Sequence, residues 1–394
     1  MIPPAALAQR VVVGEIALDG RLRPIRGALT MALHGKTLGN ERLMLPRGNG
    51  SEAALVDGLQ VEAVSSLNEA IEVLKGADSR PPQSSEVAPQ AMLDLCDIRG
   101  QEAARRALEI AATSGHNLLL CGSPGCGKTM LASRLPSLLP DLDSQGVLEV
   151  SALHGLAAGG AATVLRRPPF RAPHHTVSRA GLIGGGRPLV PGEISLAHGG
   201  VLFLDELPEY SRGLLESLRQ PIEEGQVQLS RAGRLARFPA KVQLVGAMNP
   251  CPCGYLGHRR RACRCTPLTV ARYRQRLSGP LLDRFDLALD LDPPDASQLL
   301  DQRPGEDSAT VAERVATARE VLAQHPRSPP TDTVRRRLAQ AVDMLSLSGR
   351  AMHRCLAVAA SIAALDGREV ITTDDLDEAL SLRLALLNFH EPSR

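Results

Sequence analysis

The chain has 394 residues, 43% hydrophobic and 22% charged, which is the balance of a folded protein with two or three domains. The net charge of +2 neither favours nor excludes nucleic acid, because such ligands are held by a local basic patch. Aromatic residues make up only 2% of the chain, which argues against base stacking as the main way of binding nucleic acid. The lack of a long apolar stretch or leader predicts a cytoplasmic protein without membrane contact.

The first 75 residues predict a small α/β unit. Val11–Gly20 predicts one or two strands and a turn, and Arg42–Pro46 predicts another strand. Short helices are predicted near Arg26–His34 and Gly50–Val56, and a closing helix over Ser66–Lys75. A unit of this size has a marginal core, so we expect it to be part of a domain whose first half is absent from the sequence.

Residues 76–91 are rich in proline, serine and small polar residues, which predicts a linker and the clearest domain boundary of the chain. A helix is predicted over Glu102–Ser114. It leads to a short apolar strand over Asn117–Cys121, and a buried strand of this kind is typical of a parallel sheet.

A glycine-rich loop follows that strand and precedes a helical pattern. The loop has the form G-x-x-x-x-G-K-[ST], in which backbone N–H groups and the start of a helix surround phosphate oxygens. We predict that Lys128 reaches the β- and γ-phosphates of ATP and that Thr129 places its hydroxyl on Mg²⁺. The predicted nucleotide-binding residues are Gly122, Ser123, Pro124, Gly125, Cys126, Gly127, Lys128 and Thr129.

An unusual basic tract comes next in the chain. Ser144–Val150 predicts a helix that runs into a strand. Arg166–Arg179, with Gly184–Arg187 behind it, is rich in proline and arginine and contains His174 and His175, so it cannot be a regular helix or a central strand. It is either a solvated surface loop or a basic loop that contacts a phosphate backbone.

Two strand ends carry candidate catalytic residues. Asp205 and Glu206 follow the apolar run Gly200–Leu204, where one carboxylate can hold Mg²⁺ through water and the other can deprotonate the attacking water. Asn249 follows a strand predicted over Phe238–Met248 and can hydrogen-bond the γ-phosphate or that water. The alternative is an asparagine that only starts a turn before proline.

Eight cysteines in a cytoplasmic chain indicate metal binding or buried thiols before disulfides. Four of them form two C-x-C pairs and predict a tetrahedral Zn²⁺ site that closes a loop, with His258 as a weaker candidate ligand. Because this spacing is tighter than the commoner C-x-x-C, a redox-sensitive loop and simple buried thiols stay open as alternatives. The candidate ligands are Cys251, Cys253, Cys263 and Cys265.

The C-terminal part is predicted to be mostly helical. A helix over Leu268–Arg276 and a strand over Leu287–Leu291 come first. Four helices follow and predict a small helical domain, over Ser308–Gln324, Thr333–Leu345, Arg350–Leu365 and Leu376–Asn388.

These motifs together resemble the Mg-chelatase-like AAA+ ATPases of the ComM/YifB type. The resemblance runs from about residue 90 to the C-terminus. It implies an α/β fold with an AAA+ P-loop NTPase core, a parallel sheet and a C-terminal helical lid. Besides the phosphate loop, the matching segments are Pro168–His175, Pro191–His198, Val201–Pro208, Asn249–Gly254 and Gly279–Asp286.

Residues 11–75 resemble the C-terminal part of the Lon-protease-like, ribosomal-S5-like domain that precedes AAA+ in this family, so the resemblance implies an N-terminally truncated member. We therefore divide the chain into four parts. These are a partial Lon-like α/β domain at 1–75, a linker at 76–91, an AAA+ core at 92–294 with a cysteine loop at 251–265, and a helical lid at 295–394.

The resemblance also implies roles for individual residues. Arg284 falls where related proteins offer an arginine finger to the neighbouring subunit's γ-phosphate, and Arg350 falls at the sensor 2 position on the lid. A cation supplied by a neighbour stabilises transition-state charge and couples hydrolysis to assembly. The implied catalytic residues are Lys128 of Walker A, Asp205 and Glu206 of Walker B, Asn249 as sensor 1, Arg284 and Arg350.

The function implied is that of an ATP-hydrolysing hexamer that moves DNA. Family members are associated with branch migration during natural transformation and homologous recombination, so branched or single-stranded DNA is the expected partner. Arginine loops would grip it through phosphates, independently of sequence. The alternatives are an ATPase subunit of the chelatase type and an ATP-gated regulator of a protein partner.

Overall fold

The computed structural model describes residues 2–81, 92–159, 163–231, 233–293, 305–325 and 329–387. Parts of the predicted linker (82–91) and of the predicted lid (295–304) lie outside the described residues. The strands are β1 (Arg10–Val12), β2 (Glu15–Ile16), β3 (Leu22–Arg23), β4 (Arg42–Pro46), β5 (Gln60–Val64), β6 (Leu118–Gly122), β7 (Phe170–Arg171), β8 (Gly184–Gly185), β9 (Val190–Pro191), β10 (Val201–Leu204), β11 (Gln226–Arg231), β12 (Arg234–Pro239), β13 (Gln243–Met248) and β14 (Leu287–Leu291).

Helices surround these strands. The α-helices of the described residues are α1 (Ala28–Thr37), α2 (Gly50–Ala53), α3 (Leu67–Leu74), α4 (Glu102–Ser114), α5 (Lys128–Ala132), α6 (Ser144–Ala158), α7 (Arg179–Ile183), α8 (Glu193–Leu196), α9 (Arg212–Glu224), α10 (Pro267–Arg274), α11 (Gly279–Leu282), α12 (Ser308–Gln324), α13 (Asp332–Leu345), α14 (Gly349–Leu365) and α15 (Thr373–Leu387). None of them is long and apolar enough to cross a bilayer.

A five-stranded parallel sheet forms the centre of the molecule, in the order β14-β6-β13-β10-β7. Its strands β10 and β13 are buried throughout because both faces of the sheet are covered by helices. Leu118 and Leu120 face the core that α4 and the C-terminal helices share, whereas Leu119 faces the core on the other side. All carboxyl ends therefore lie at one edge of the sheet, which is where α/β folds bind their ligands.

The N-terminal unit is a separate α/β layer with a parallel sheet in the order β1-β4-β5. Its core packs against α6 through Leu148 and Ala152. Another face of α6, at Leu153 and Leu156, packs with Phe238 of β12. The small unit thus shares its core with a helix of the ATPase part, which compensates for its size.

Two expectations of the sequence need correction, and one strand was missed. The segment after Ser144 does not run into a strand but stays helical to Ala158, because α6 has apolar contacts on two sides. The single strand expected over Phe238–Met248 is two elements, the hairpin strand β12 and the central strand β13. Strand β5 was not anticipated at all. The helix expected to Asn388 is described only as far as Leu387.

Candidate active site

The phosphate loop lies at the carboxyl end of β6, in the middle of the parallel sheet. β6 ends at Gly122 and α5 begins at Lys128, so the loop occupies the turn between them. Gly127 caps this helix at φ +95°, a conformation that residues with a side chain rarely adopt. A methyl group on Gly122 would lie 2.8 Å from the carbonyl oxygen of Leu291 on the neighbouring strand. Both glycines are therefore required by the backbone.

Lys128 and Thr129 point toward the ends of the neighbouring strands. The Lys128 Nζ donates to the carbonyl oxygens of Gly122 and Ser123 at 2.7 and 3.0 Å and to the Asn249 Oδ1 at 3.1 Å. The Thr129 Oγ1 donates to the Asp205 Oδ2 at 2.8 Å. Residues from three separated motifs thus meet at one point.

The residues of the loop fit ATP and Mg²⁺. The Ser123 hydroxyl is buried and has no hydrogen-bond partner among the described residues, so it is free to meet a ligand. A hydroxyl and a carboxylate in contact are the hard oxygen donors that Mg²⁺ prefers, and the ammonium of Lys128 beside them suits a phosphate. When bound, Mg²⁺ would neutralise charge between the β- and γ-phosphates.

Glu206 is the second carboxylate of this edge, and it contacts a histidine of the basic tract. Its backbone is in the left-handed conformation at φ 51°, and its side chain is 56% exposed. The His175 Nδ1 lies 3.3 Å from the Glu206 Oε2, and the His174 ring packs on His175 at 4.1 Å between centroids. The basic tract therefore reaches the candidate general base, which sequence reasoning did not anticipate.

Tyr210 holds the tract in this place. Its hydroxyl donates to the carbonyl oxygen of Pro173 at 2.5 Å, and its ring lies edge-on to His175 at 6.4 Å. Burial, followed by the nearby carboxylates of Asp205 and Glu206, raises the pKa of Tyr210. The phenol therefore stays protonated and remains a donor at neutral pH.

We expect His175→Ala to lower kcat for ATP about tenfold and to leave the affinity for ATP unchanged, because a glutamate that has lost its contact is less often oriented toward water. Steady-state phosphate release and nucleotide titration measure the two quantities. His325→Ala is the matched control, since the His325 Nε2 contacts the Glu369 Oε1 at 3.4 Å far along the chain. An unchanged kcat in His175→Ala would show that this histidine does not position the base.

The cysteine loop stands directly beside the phosphate loop. The Sγ atoms of Cys251, Cys253 and Cys263 are 3.4 to 3.7 Å apart, and with Cys265 all four lie within 4.8 Å of one another. These distances exclude a disulfide, in which the sulfurs are about 2.0 Å apart. Among the described residues, His258 does not belong to this group of ligand atoms, and its Nδ1 accepts hydrogen bonds from the backbone N–H groups of residues 260 and 261.

Arg284 and Arg350 lie away from the phosphate loop of their own chain. Arg284 precedes β14, whose first residue pairs with Leu118 and whose last pairs with Gly122, so the length of a strand, roughly 15 Å, separates it from the loop. Its guanidinium is 6% exposed and forms an ion pair with Glu223. Arg350 pairs with the other oxygen of the same carboxylate at 3.0 Å. The structure thus brings the two arginines together with each other and not with Lys128.

Two antiparallel hairpins contain further arginines. The longer hairpin was not predicted from the sequence, and the arginine of the shorter one, Arg187, lies in the tract that was predicted to be a loop. β11 pairs with β12 across a turn that contains Gly233, and β8 pairs with β9. Leu229 of β11 lies against Gly184 of β8, so the hairpins pack side by side. The alternating apolar residues on both sides of an Ala-Gly pair were the available signal for the longer hairpin.

The arginines of the basic tract do not all face solvent. Arg171 forms a bidentate pair with Glu193, at 2.6 and 2.7 Å, and is only partly exposed. Arg179 and Arg187 are exposed, as is Arg237 on β12. In the ranges that the structure describes, no carboxylate lies within ion-pair distance of these three. They therefore form a set of uncompensated cations on connected elements.

The chain matches three family models. The model described as magnesium chelatase, subunit ChlI, matches residues 94–299. The models described as magnesium chelatase, subunit ChlI C-terminal, and as subunit ChlI of Mg-chelatase match residues 305–383 and 2–49. Together they run from the N-terminal unit to the last helix.

Similar curated proteins cover most of the chain. The uncharacterized protein YifB of Escherichia coli is 44% identical over 94% of this chain and 76% of its own length. The competence protein ComM of Haemophilus influenzae is 40% identical over 96% of this chain and 78% of its own length. The magnesium-chelatase 67 kDa subunit of Heliobacterium mobile is 31% identical, but over only 42% of this chain and 29% of its own length.

Proposed function

The chain belongs to the Mg-chelatase-like AAA+ ATPase family, with ComM and YifB among its close relatives, and from this premise we propose that it is a hexameric motor that uses ATP hydrolysis to move DNA. Branch migration or helicase activity during natural transformation and homologous recombination is the specific activity proposed. A relative named as a competence protein supports this assignment.

The observation that carries the proposal is the set of uncompensated arginines on the two hairpins and on α7. Arg187 and Arg237 lie on hairpins that pack together, and Arg179 begins the helix that leads into β8. Exposed arginines without acidic partners are the groups that bind a phosphate backbone independently of sequence. The scarcity of aromatic residues agrees with binding to the phosphates of DNA and not with stacking on its bases.

Hydrolysis in this proposal is carried out by the residues around the phosphate loop. Lys128 binds the β- and γ-phosphates, Glu206 accepts the proton of the attacking water, and Asn249 hydrogen-bonds the γ-phosphate. Arg284 stabilises the transition state in the site of a neighbouring subunit, since it cannot reach its own. Assembly of a ring would therefore be a condition for activity.

We also propose that the four cysteines bind structural Zn²⁺. A tetrahedral zinc site with bonds of about 2.3 Å has sulfurs about 3.8 Å apart, close to the 3.4 to 3.7 Å found here. The backbone N–H groups of Arg264 and Tyr255 also donate to the Cys253 sulfur, a contact that suits a thiolate ligand.

DNA is expected to stimulate the ATPase, and the stimulation should fade with salt. The double variant Arg187→Ala/Arg237→Ala should bind DNA more weakly, with a slope of log affinity against log salt reduced by about 1.4 to 1.8 for two lost phosphate contacts. Its ATPase without DNA should be unchanged. Fluorescence anisotropy with single-stranded and branched DNA, beside ATPase assays, gives both quantities.

The control for this experiment is Arg336→Ala, an exposed arginine on α13. If the wild-type ring assembles but DNA changes neither rate nor anisotropy, the motor would not act on DNA. The alternative is then an ATPase subunit of the chelatase type, or an ATP-gated regulator, with a protein partner. The relative from Heliobacterium mobile favours the chelatase alternative, although the match covers less than half of this chain.

A further inference from the structure

The cysteine cluster is joined to the nucleotide site by short connections on both sides. Asn249, which accepts a hydrogen bond from Lys128, stands two residues before Cys251, and Cys251 is completely buried. Gly254, one residue beyond Cys253, lies so close to Pro124 of the phosphate loop that a methyl group there would be 2.6 Å from the proline ring. The cysteine cluster therefore lies next to both Asn249 and the phosphate loop.

The far end of the loop is fixed as well. Cys265 is followed by Thr266, whose side chain caps α10 by accepting from the backbone N–H of Thr269, and Tyr273 of this helix is buried in the core. A metal held by all four sulfurs would thus tie the residue that follows β13 to a helix anchored in the protein. Without it, the backbone around Cys251 would be joined to α10 only through the length of the loop.

We propose that Zn²⁺ in this cluster is a positioning element of the ATPase, which fixes the Asn249 amide at the γ-phosphate. This inference rests on the zinc site proposed above. Besides its structural role, Zn²⁺ would then determine how strongly the protein prefers ATP to ADP. Only ATP has the γ-phosphate that Asn249 contacts. The phosphate loop itself is ordered by its own strand and helix, so ADP would depend less on the metal.

The experiment compares Cys263→Ser with wild type, using elemental analysis for zinc and titration with ADP and a non-hydrolysable ATP analogue. We expect the variant to lose zinc, to bind the ATP analogue about tenfold more weakly, and to bind ADP with an affinity changed less than twofold. Cys265→His should retain zinc through a three-sulfur, one-nitrogen site and keep the discrimination. Cys96→Ser, at a half-buried cysteine outside the cluster, is the matched control.

A double-mutant cycle separates positioning from general damage to the fold. If the metal acts through Asn249, the variants Asn249→Ala and Cys263→Ser should weaken binding of the ATP analogue by similar factors, and the double variant should be no weaker than either. Additive losses, or equal losses for ADP and the ATP analogue, would overturn the inference. So would a zinc-free variant with unchanged discrimination. Wild-type protein without zinc would refute the metal site itself, and none of these results depends on DNA.

Discussion

Replacing Glu206 with glutamine is expected to lower the ATPase rate at least a hundredfold while ATP still binds. A glutamine cannot accept the proton of the attacking water, and general-base catalysis contributes a factor of about 10² to 10⁴. The residues that surround the phosphates are untouched, because Lys128 and Thr129 are held by Asn249 and Asp205 and not by Glu206. Lys128→Ala should instead abolish nucleotide binding, since it removes the cation at the phosphates.

Steady-state phosphate release and titration with a fluorescent nucleotide test both variants. Glu209→Gln is the matched control, because this exposed glutamate lies three residues further on and pairs with Arg276 at 2.9 Å. It should reduce the rate little. A Glu206→Gln protein that retains more than about a tenth of the wild-type rate would place the general base elsewhere.

Replacing Arg284 with alanine is expected to lower the ATPase rate about a thousandfold, the scale of an arginine finger, without loss of ATP binding. We propose that this arginine acts between subunits, because it lies at the edge of the sheet opposite its own phosphate loop. In the single chain it forms an ion pair with Glu223, which also pairs with Arg350. The γ-phosphate of a neighbour would have to replace this carboxylate.

Mixing subunits gives a decisive test. An Arg284→Ala subunit has a complete phosphate loop, and a Lys128→Ala subunit has a complete arginine. Each variant alone should be inactive, and mixed rings should recover part of the rate, since some interfaces then combine the two intact halves. Arg219→Ala, which removes a surface arginine paired with Glu216, is the control. Mixtures that stay inactive although the rings assemble would exclude a role of Arg284 between subunits.

Much of the fold and of the candidate site follows from local sequence patterns. The strand at Leu118–Gly122 is a short apolar run, and such runs are typical of a sheet buried on both faces. Because the carboxyl ends of parallel strands share one edge, residues that follow different strands could be predicted to meet. The structure indeed brings Lys128, Asp205 and Asn249 close to the same loop.

Tertiary contacts account for what the sequence could not predict. The apolar residues of α6 were interpreted as a helix followed by a strand, because a helix with two packed faces loses the simple periodicity of an amphipathic one. The shared carboxylate of Glu223 could not be predicted either. It joins Arg284 and Arg350 over distances in sequence of 61 and 127 residues, and no local pattern reports such a meeting.

The position of α6 has a mechanical consequence. One face of this helix lies in the core of the N-terminal unit, and another packs against Leu229 and Phe238 of the hairpin that includes Arg237. A force applied to the hairpin would therefore act on α6 and displace the N-terminal unit that packs on its other face.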